Sequence, residues 1–178
     1  MGVCTSEEDE KMQVKPIVTI LDYGAGNVCS VINAIQKCGY SVEFVQKPED
    51  ILAAKVLVFP GVGAFGSAMS VLRERGYVEP LREYIKQDRP FLGICIGMQT
   101  LFESSEETPG VEGVGVIPGA VTRFEAAPGL SIPHIGWNQV RECRPSGIWE
   151  RSNMSRYYFV HSFRVLPTEV CITLLLRR

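Results

Sequence analysis

Short apolar runs alternate with segments of helical periodicity along the first part of the chain. Four of the runs have the length of a buried strand, and they are Ile17–Leu21, Ser41–Val45, Val56–Phe59 and Phe91–Ile94. Between them, apolar side chains recur every three or four residues, as in amphipathic helices; these stretches run from Val28 to Gly39, from Pro48 onward, and from Ala68 to Gln87 with an interruption at Gly76. This alternation predicts a parallel sheet covered by helices.

Beyond about Val111 the helical signals become sparse and short extended segments replace them. The segments are Val114–Ile117, Val121–Phe124, Ile135–Val140, Tyr157–Val160 and Cys171–Leu176. The predicted architecture is therefore α/β, with a mostly parallel central sheet followed by a more antiparallel region.

Composition and charge exclude several kinds of function. The chain has 178 residues and a net charge of -2, without a dense block of lysine and arginine, so nothing supports nucleic-acid binding. No apolar run approaches the ~18 residues of a membrane span. Residues 1–14, with the acidic run Glu7–Glu10, are predicted to be a disordered tail, and residues 15–178 a single domain.

The six cysteines are scattered and form no Cys-x-x-Cys pair. This spacing suggests neither a zinc site nor a redox dithiol, and we predict no metal and no cofactor. Because no secretory signal accompanies them, we expect reduced thiols in an intracellular compartment.

Cys95 carries the strongest chemical signal. Gly93 and Gly97 flank it symmetrically, a predicted strand precedes it, and apolar residues recur at helical spacing from Met98 to Phe102. A strand that turns sharply into a helix around a nucleophile is a nucleophile elbow. Such a turn strains the nucleophile and exposes its sulfur, and the helix N-terminus is expected to lower the thiol pKa and to offer N–H groups to an oxyanion. The alternative is an inert, buried cysteine.

A second glycine-rich stretch, Pro60–Gly66, follows the strand that ends at Phe59. Open α/β sheets place their ligand sites at the carboxyl ends of strands, and glycines let backbone N–H groups approach a ligand. The stretch is interpreted either as an oxyanion loop that serves Cys95 or as an ordinary strand-to-helix connection.

These motifs resemble those of a known family. The stretch Gly93–Gln99 is similar to the nucleophile motif of class I (triad) glutamine amidotransferases, and Pro60–Gly63 is similar to their oxyanion loop. Three further stretches, Asp22–Asn27, Pro133–Asn138 and Tyr158–Phe163, resemble the glutaminase subunit or domain of imidazole glycerol phosphate synthases. The resemblance implies a flavodoxin-like, three-layer α/β amidotransferase fold whose C-terminal part is incomplete here.

The resemblance also implies a glutaminase reaction. The Cys95 thiolate would attack the side-chain amide of glutamine, ammonia would leave, and water would release glutamate from the thioester. The implied oxyanion hole comprises Val62, Gly63 and Ile96. The implied glutamine-binding residues are Gly61, Gln99, Ser162 and Phe163. The implied interface comprises Asn27, Pro133 and Trp137; it would face a (β/α)8-barrel synthase that uses the ammonia in histidine biosynthesis.

One part of the family's triad is missing from this sequence. In the family a later His-Pro-Glu run supplies the His and Glu, whereas this chain has two histidines, His134 and His161, and no His-Pro-Glu. Both match non-catalytic family positions, and we expect His161 to be structural because no acid is placed to orient it. From about Val165 the sequence diverges, so we expect a truncated or divergent member. Loss of a general base costs on the order of 10²–10⁴ in rate.

Three hypotheses follow. The chain is the glutaminase of an imidazole glycerol phosphate synthase, impaired by the missing base; or it is catalytically silent and only docks on the synthase partner. The third hypothesis is a different cysteine-elbow enzyme, which would need an acid such as Glu103, predicted about two turns along the Cys95 helix. The family resemblance places the chain in the plastid stroma if it comes from a plant or alga, and in the cytoplasm otherwise.

Overall fold

The computed structural model describes residues 15–25, 27–129, 131–142, 155–166 and 174–177. The acidic tail predicted at 1–14 and the start of the segment predicted at Cys171–Leu176 lie outside these residues. The first half contains β1 (Ile17–Ile20), α1 (Val28–Lys37), β2 (Ser41–Phe44), α2 (Pro48–Ala53), β3 (Leu57–Gly61), α3 (Phe65–Glu74), α4 (Val78–Lys86), β4 (Phe91–Cys95) and α5 (Ile96–Gln99). The second half contains β5 (Phe102–Ser105), β6 (Ile117–Arg123), β7 (His134–Glu142), β8 (Arg156–His161), β9 (Phe163–Val165) and β10 (Leu174–Arg177).

The predicted parallel sheet is present. Its strand order is β2-β1-β3-β4, and all three pairings are parallel. The register between β3 and β4 places Gly61 beside Cys95. The ends of these two strands therefore meet at one edge, where the two glycine-rich motifs of the sequence become neighbours.

The central sheet is held by a core that it shares with helices α3 and α4. The large side chains with no exposed surface include Phe59, Phe65, Leu72, Leu81 and Tyr84. Burying one such side chain contributes about 1.5–3 kcal/mol. This core supports β3 and the start of α3, the two elements that flank the Pro60–Gly66 stretch.

Three local signals for where helices begin and end are confirmed, although α3 begins at Phe65, three residues before the predicted Ala68. Asn27 caps α1, since the Ser30 N–H donates to its Oδ1 at 3.4 Å. Gly39 follows the helix with φ +90°, and Gly76 breaks the long predicted helix into α3 and α4 with φ +69°. Both glycines lie in the left-handed region, which other residues occupy at a cost.

The helix predicted after Cys95 is shorter than expected. It ends at Gln99, and Phe102 begins strand β5, which pairs in parallel with β6. Thr100 and Phe102 instead offer their carbonyls to the N–H groups of Val114, at 2.7 Å, and of Gly115, at 3.2 Å. These long-range hydrogen bonds outweigh a local periodicity of only five residues.

The same hydrogen bonds alter the next predicted strand. The segment Val114–Ile117 is irregular up to Val116, and a single strand, β6, joins its last residue to the predicted strand that begins at Val121. Tertiary pairing with the chain after α5 therefore overrides the β propensity of two valines.

The remaining strands form the predicted, more antiparallel region. One sheet has the order β5-β6-β9, and the other has the order β10-β7-β8 with both of its pairings antiparallel. Within the described ranges, no helix combines the length and the apolar character that crossing a bilayer requires.

Candidate active site

Cys95 occupies the turn between β4 and α5. Its backbone has φ +55° and ψ -115°, a conformation that a non-glycine residue rarely adopts, and the residue is exposed. Such strain persists only where the surrounding structure imposes it, and it is concentrated at functional sites. The strained strand-to-helix turn predicted from the sequence is therefore present.

The two glycines around Cys95 are required by close backbone approaches. A Cβ at Gly97 would lie 1.8 Å from the carbonyl oxygen of Phe59 on β3, and one at Gly93 would lie 2.8 Å from the backbone nitrogen of Met98. Neither position has room for a side chain, so glycine lets α5 fold back tightly against β3 and β4.

The Pro60–Gly66 stretch lies beside this turn. A Cβ at Gly61 would lie 3.2 Å from Cβ of Ile96, which places the end of β3 against the start of α5. Residues 62–64 are exposed, and Gly63 has φ +100°. The structure thus brings together Cys95 and four residues of the predicted site, Gly61, Val62, Gly63 and Ile96.

Two residues near Cys95 were missed by the sequence reasoning. Tyr23, buried at 5 % exposure, donates its hydroxyl hydrogen bond to the Val62 carbonyl. Glu107 accepts a hydrogen bond from the Phe65 N–H at 2.7 Å through its Oε2. Tyr23 lies in the Asp22–Asn27 motif and Glu107 in a loop-like run, and neither position in the sequence indicates a place near Cys95.

The pKa of the Cys95 thiol is raised, which contradicts the expected lowering by the helix N-terminus. Desolvation by neighbouring protein atoms is the largest cause, although the residue as a whole is exposed, and the nearby Glu107 carboxylate adds to it; the backbone N–H of Ile96 opposes the shift. The helix is only four residues long, so its dipole is small against these effects.

The predicted glutamine-binding residues lie in two places. Gln99 is buried at the end of α5, one turn after Cys95. Ser162 lies between β8 and β9, and Phe163 begins β9; the Ser162 carbonyl accepts a hydrogen bond from the Phe124 N–H at 3.0 Å. That carbonyl therefore takes part in the structure of the antiparallel region.

His161 has both ring nitrogens engaged. Nδ1 contacts the Phe163 carbonyl oxygen at 2.9 Å, and Nε2 contacts Nδ1 of His134 at 3.1 Å. Nε2 of His134 in turn contacts the side-chain amide of Asn138 at 3.3 Å. This chain of contacts fits the structural role that was expected for His161.

The acid considered for the third hypothesis is not on the Cys95 helix. Glu103 belongs to strand β5, and its Oε2 accepts a hydrogen bond from the Gly119 N–H at 2.9 Å. It therefore supports β6 from the strand that replaces the expected helix. In the part of the chain that the structure describes, no group of three or more His, Cys, Asp or Glu residues could hold a metal ion.

The predicted interface residues differ in their surroundings. Trp137 is 62 % exposed and belongs to an apolar face of the β7–β8 pair that also contains Ile135, Tyr158 and Val160. Pro133 is exposed just before β7, whereas Asn27 caps α1 and so has a structural role of its own.

The fold and the strained cysteine define a glutamine amidotransferase domain of class I. The family model described as Glutamine amidotransferase class-I matches residues 19–175, and the chain belongs to this family. Solved structures agree at the level of the fold. A crystal structure of a glutamine amidotransferase is 21 % identical with a TM-score of 0.62, over 80 % of this chain and 70 % of that one. PurLQS from Thermotoga maritima is 18 % identical with a TM-score of 0.67, over 92 % of this chain and 76 % of that one.

Similarity to curated relatives indicates one particular group within this family. The chain is 54 % identical to the chloroplastic imidazole glycerol phosphate synthase hisHF of Arabidopsis thaliana, over 86 % of this chain and 26 % of the relative. It is 44 % identical to imidazole glycerol phosphate synthase subunit HisH of Desulfitobacterium hafniense, over 86 % of this chain and 72 % of the relative. The chain thus spans about a quarter of the hisHF protein and most of the HisH subunit.

Proposed function

We propose that this chain hydrolyses the side-chain amide of glutamine at Cys95 and supplies ammonia to an imidazole glycerol phosphate synthase in histidine biosynthesis. The observation that carries the proposal is the strained, exposed Cys95 beside the Gly61–Ala64 loop, in a chain that is 44 % identical to a HisH subunit. The fold alone would not identify the substrate on which the amidotransferase acts.

We propose a role for each group around the nucleophile. The Cys95 sulfur attacks the amide carbon of glutamine, and the carbonyl oxygen becomes an oxyanion facing the N–H of Ile96 and those of the Val62–Gly63 loop. The C–N bond then breaks, the amide nitrogen takes up the proton that the thiol lost and leaves as ammonia, and a thioester remains. Water cleaves the thioester to glutamate and restores the thiol. Gln99, Ser162 and Phe163 complete the proposed glutamine site.

The step that the described residues support least is deprotonation of the Cys95 thiol. The pKa of Cys95 is raised, and both ring nitrogens of His161 are engaged elsewhere. We therefore propose that these residues by themselves turn glutamine over more slowly than a complete triad does, by on the order of 10²–10⁴. The alternative is a catalytically silent chain that only docks on the partner. It requires the same interface residues but no reaction at Cys95.

The rate of glutamate release from glutamine tests the reaction. Purified chain is assayed with and without a (β/α)8-barrel synthase subunit, beside a Cys95→Ala variant that folds equally well. Slow turnover that depends on Cys95 supports the proposal. Release no faster than that of Cys95→Ala under both conditions would leave docking as the sole function.

The partner surface is proposed to comprise the apolar face formed by Ile135, Trp137, Tyr158 and Val160, together with Pro133 and Asn27. Aromatic anchors of this kind dominate many interfaces. Replacing Trp137 by Ala should weaken binding of the barrel subunit by about 2 kcal/mol, roughly thirtyfold in Kd by calorimetry. Tyr40→Ala removes an exposed aromatic outside this face and is the matched control. Equal affinities of the two variants would place the interface elsewhere.

A further inference from the structure

The loop that faces Cys95 has little to hold it in one conformation. Its three central residues, Val62, Gly63 and Ala64, are exposed, and it contains a glycine with φ +100°. It lies between two buried residues, Gly61 and Phe65. Glycine gives a connection of this kind wide backbone freedom, so an oxyanion site built on it requires a constraint from outside the loop.

Tyr23 provides such a constraint. Within the described part of the chain, the Val62 and Gly63 backbone groups have one hydrogen bond, which the Tyr23 hydroxyl donates to the Val62 carbonyl. Because the peptide group is planar and trans, fixing the Val62 carbonyl also fixes the direction of the Gly63 N–H.

The tyrosine ring is itself held firmly. It packs edge-on against Phe59 of β3, with ring centroids 6.0 Å apart at 89°. Its Cε1 would lie 2.9 Å from a Cβ at Gly61, so glycine there makes room for the ring. The preceding Asp22 is tied down as well, since its Oδ1 accepts from the Gly24 N–H at 2.8 Å and its carbonyl accepts from Arg75 at 3.2 Å.

We infer that Tyr23 is a positioning residue for the glutaminase reaction: its hydroxyl fixes the Val62–Gly63 peptide beside Cys95. The residue acts through the loop and does not touch the reacting atoms. This inference rests on the proposed function for its chemical consequence, but the anchoring of the loop is independent of it.

A matched pair of variants tests the inference. Tyr23→Phe removes the hydroxyl and keeps the ring. Tyr84→Phe is the control and removes a comparable hydroxyl. Tyr84 is also buried, and its hydroxyl donates a hydrogen bond to the Pro90 backbone carbonyl at 2.8 Å. The first measurement is the ¹⁵N order parameter of the Gly63 amide. We expect a value of about 0.85 in the wild type and in Tyr84→Phe, and below about 0.6 in Tyr23→Phe.

The second measurement compares two alkylating agents at Cys95. In both reactions the sulfur forms a bond to carbon and a halide leaves. A chloroketone analogue of glutamine requires the substrate site and the loop, whereas iodoacetamide reports the thiol alone. The rate ratio of the two reagents should fall about tenfold in Tyr23→Phe and stay unchanged in Tyr84→Phe; complete removal of an oxyanion donor costs about 10²–10³ in kcat.

The outcomes separate the two proposals. An unchanged order parameter in Tyr23→Phe overturns the inference, and so does a mobile loop with an unchanged rate ratio. A wild-type chain that shows no preference for the chloroketone overturns the proposed function. In that case, a lowered order parameter in Tyr23→Phe still supports the anchoring of the loop by Tyr23.

Discussion

At the scale of single residues, the reaction of Cys95 requires a thiol that the substrate can reach and that can also lose its proton. The residue as a whole is exposed, yet neighbouring protein atoms desolvate the thiol and the Glu107 carboxylate lies near it. Both effects disfavour the thiolate and raise the pKa of Cys95. A second group is therefore needed to remove the proton efficiently, which is the role that a triad histidine fills.

The contribution of Glu107 to the Cys95 pKa leads to the first prediction. Glu107→Gln keeps an oxygen that can accept from the Phe65 N–H and removes the negative charge. The pH midpoint of Cys95 alkylation by iodoacetamide should therefore move to lower pH, because repulsion of the thiolate is lost. Mass spectrometry of the Cys95 peptide across pH measures it.

Glu106→Gln serves as the control for this prediction. Glu106 is the neighbouring carboxylate, and its Oε2 accepts from the Arg123 N–H at 2.7 Å. A midpoint that moves equally in both variants, or in neither, would remove Glu107 from this role.

The second prediction concerns Gly97. A methyl group there would overlap the Phe59 carbonyl, so Gly97→Ala should lower the free energy of unfolding by about 3 kcal/mol or more, as overpacking and backbone shifts do. Gly39→Ala, at φ +90° with nothing within 4 Å, should cost only about 1–2 kcal/mol of left-handed strain. Urea unfolding compares the two; a smaller loss for Gly97→Ala would mean that the turn relaxes.

The sequence indicated the residues of the candidate site, but not the long-range contacts and charges around them. Cys95, its two glycines and the Gly61–Gly63 loop could be found because glycine spacing reports backbone constraint directly. Tyr23 and Glu107 could not, because their roles depend on contacts 39 and 42 residues away in the chain. The thiol pKa was predicted in the wrong direction for the same reason, since burial and the charge of Glu107 are tertiary properties.

At the scale of elements, the strongly periodic or apolar segments were predicted correctly. Strands β1 to β4 and helices α1, α3 and α4 follow from hydrophobic spacing and from Asn27, Gly39 and Gly76. The structure of the chain after Gln99 could not be predicted in this way, because it depends on irregular hydrogen bonds with residues 113–117 that have no local sequence pattern. Glu103 consequently lies on a strand that supports β6.

The pairing of β7 with β8 yields a third prediction, which concerns pH. Burial lowers the pKa of His161, with a contribution from His134, although the hydrogen bond to the Phe163 carbonyl opposes the shift. A histidine whose pKa is lower in the folded state stabilises the fold fully above its ordinary value of about 6.5, and this stability is lost as pH falls below that value.

Urea unfolding at pH 7.5 and pH 5.5 should therefore show a lower free energy of unfolding at the acidic pH. The part of the difference due to His161 should disappear in His161→Gln, which cannot titrate. An identical pH dependence of the variant and the wild type would assign the effect to other groups.

At the scale of the whole molecule, the apolar face of the β7–β8 pair stands out. Each of its four large side chains is more than half exposed: Ile135, Trp137, Tyr158 and Val160. They lie opposite each other in two cross-strand pairs, so they form a continuous patch on one side of the sheet. Patches of this kind mark interaction sites or promote association.

The fourth prediction follows from this patch. Val160→Lys places a charge at its edge and should raise the concentration at which the isolated chain begins to associate, measured by light scattering. Leu166→Lys changes an exposed leucine outside the β7–β8 pair and should have a smaller effect. If the two variants behave alike, association does not depend on this face.

The close approach of Gly97 to Phe59 has a consequence for folding. The Cys95 turn can form only after β3 and β4 have paired across the long connection that contains α3 and α4, and non-local parallel pairing is a slow event. In the unfolded chain the thiol has an ordinary pKa, whereas in the native turn the pKa is raised. During refolding at constant pH, Cys95 should thus become less reactive toward iodoacetamide as the strands join. The nucleophile is a built-in kinetic probe of sheet assembly.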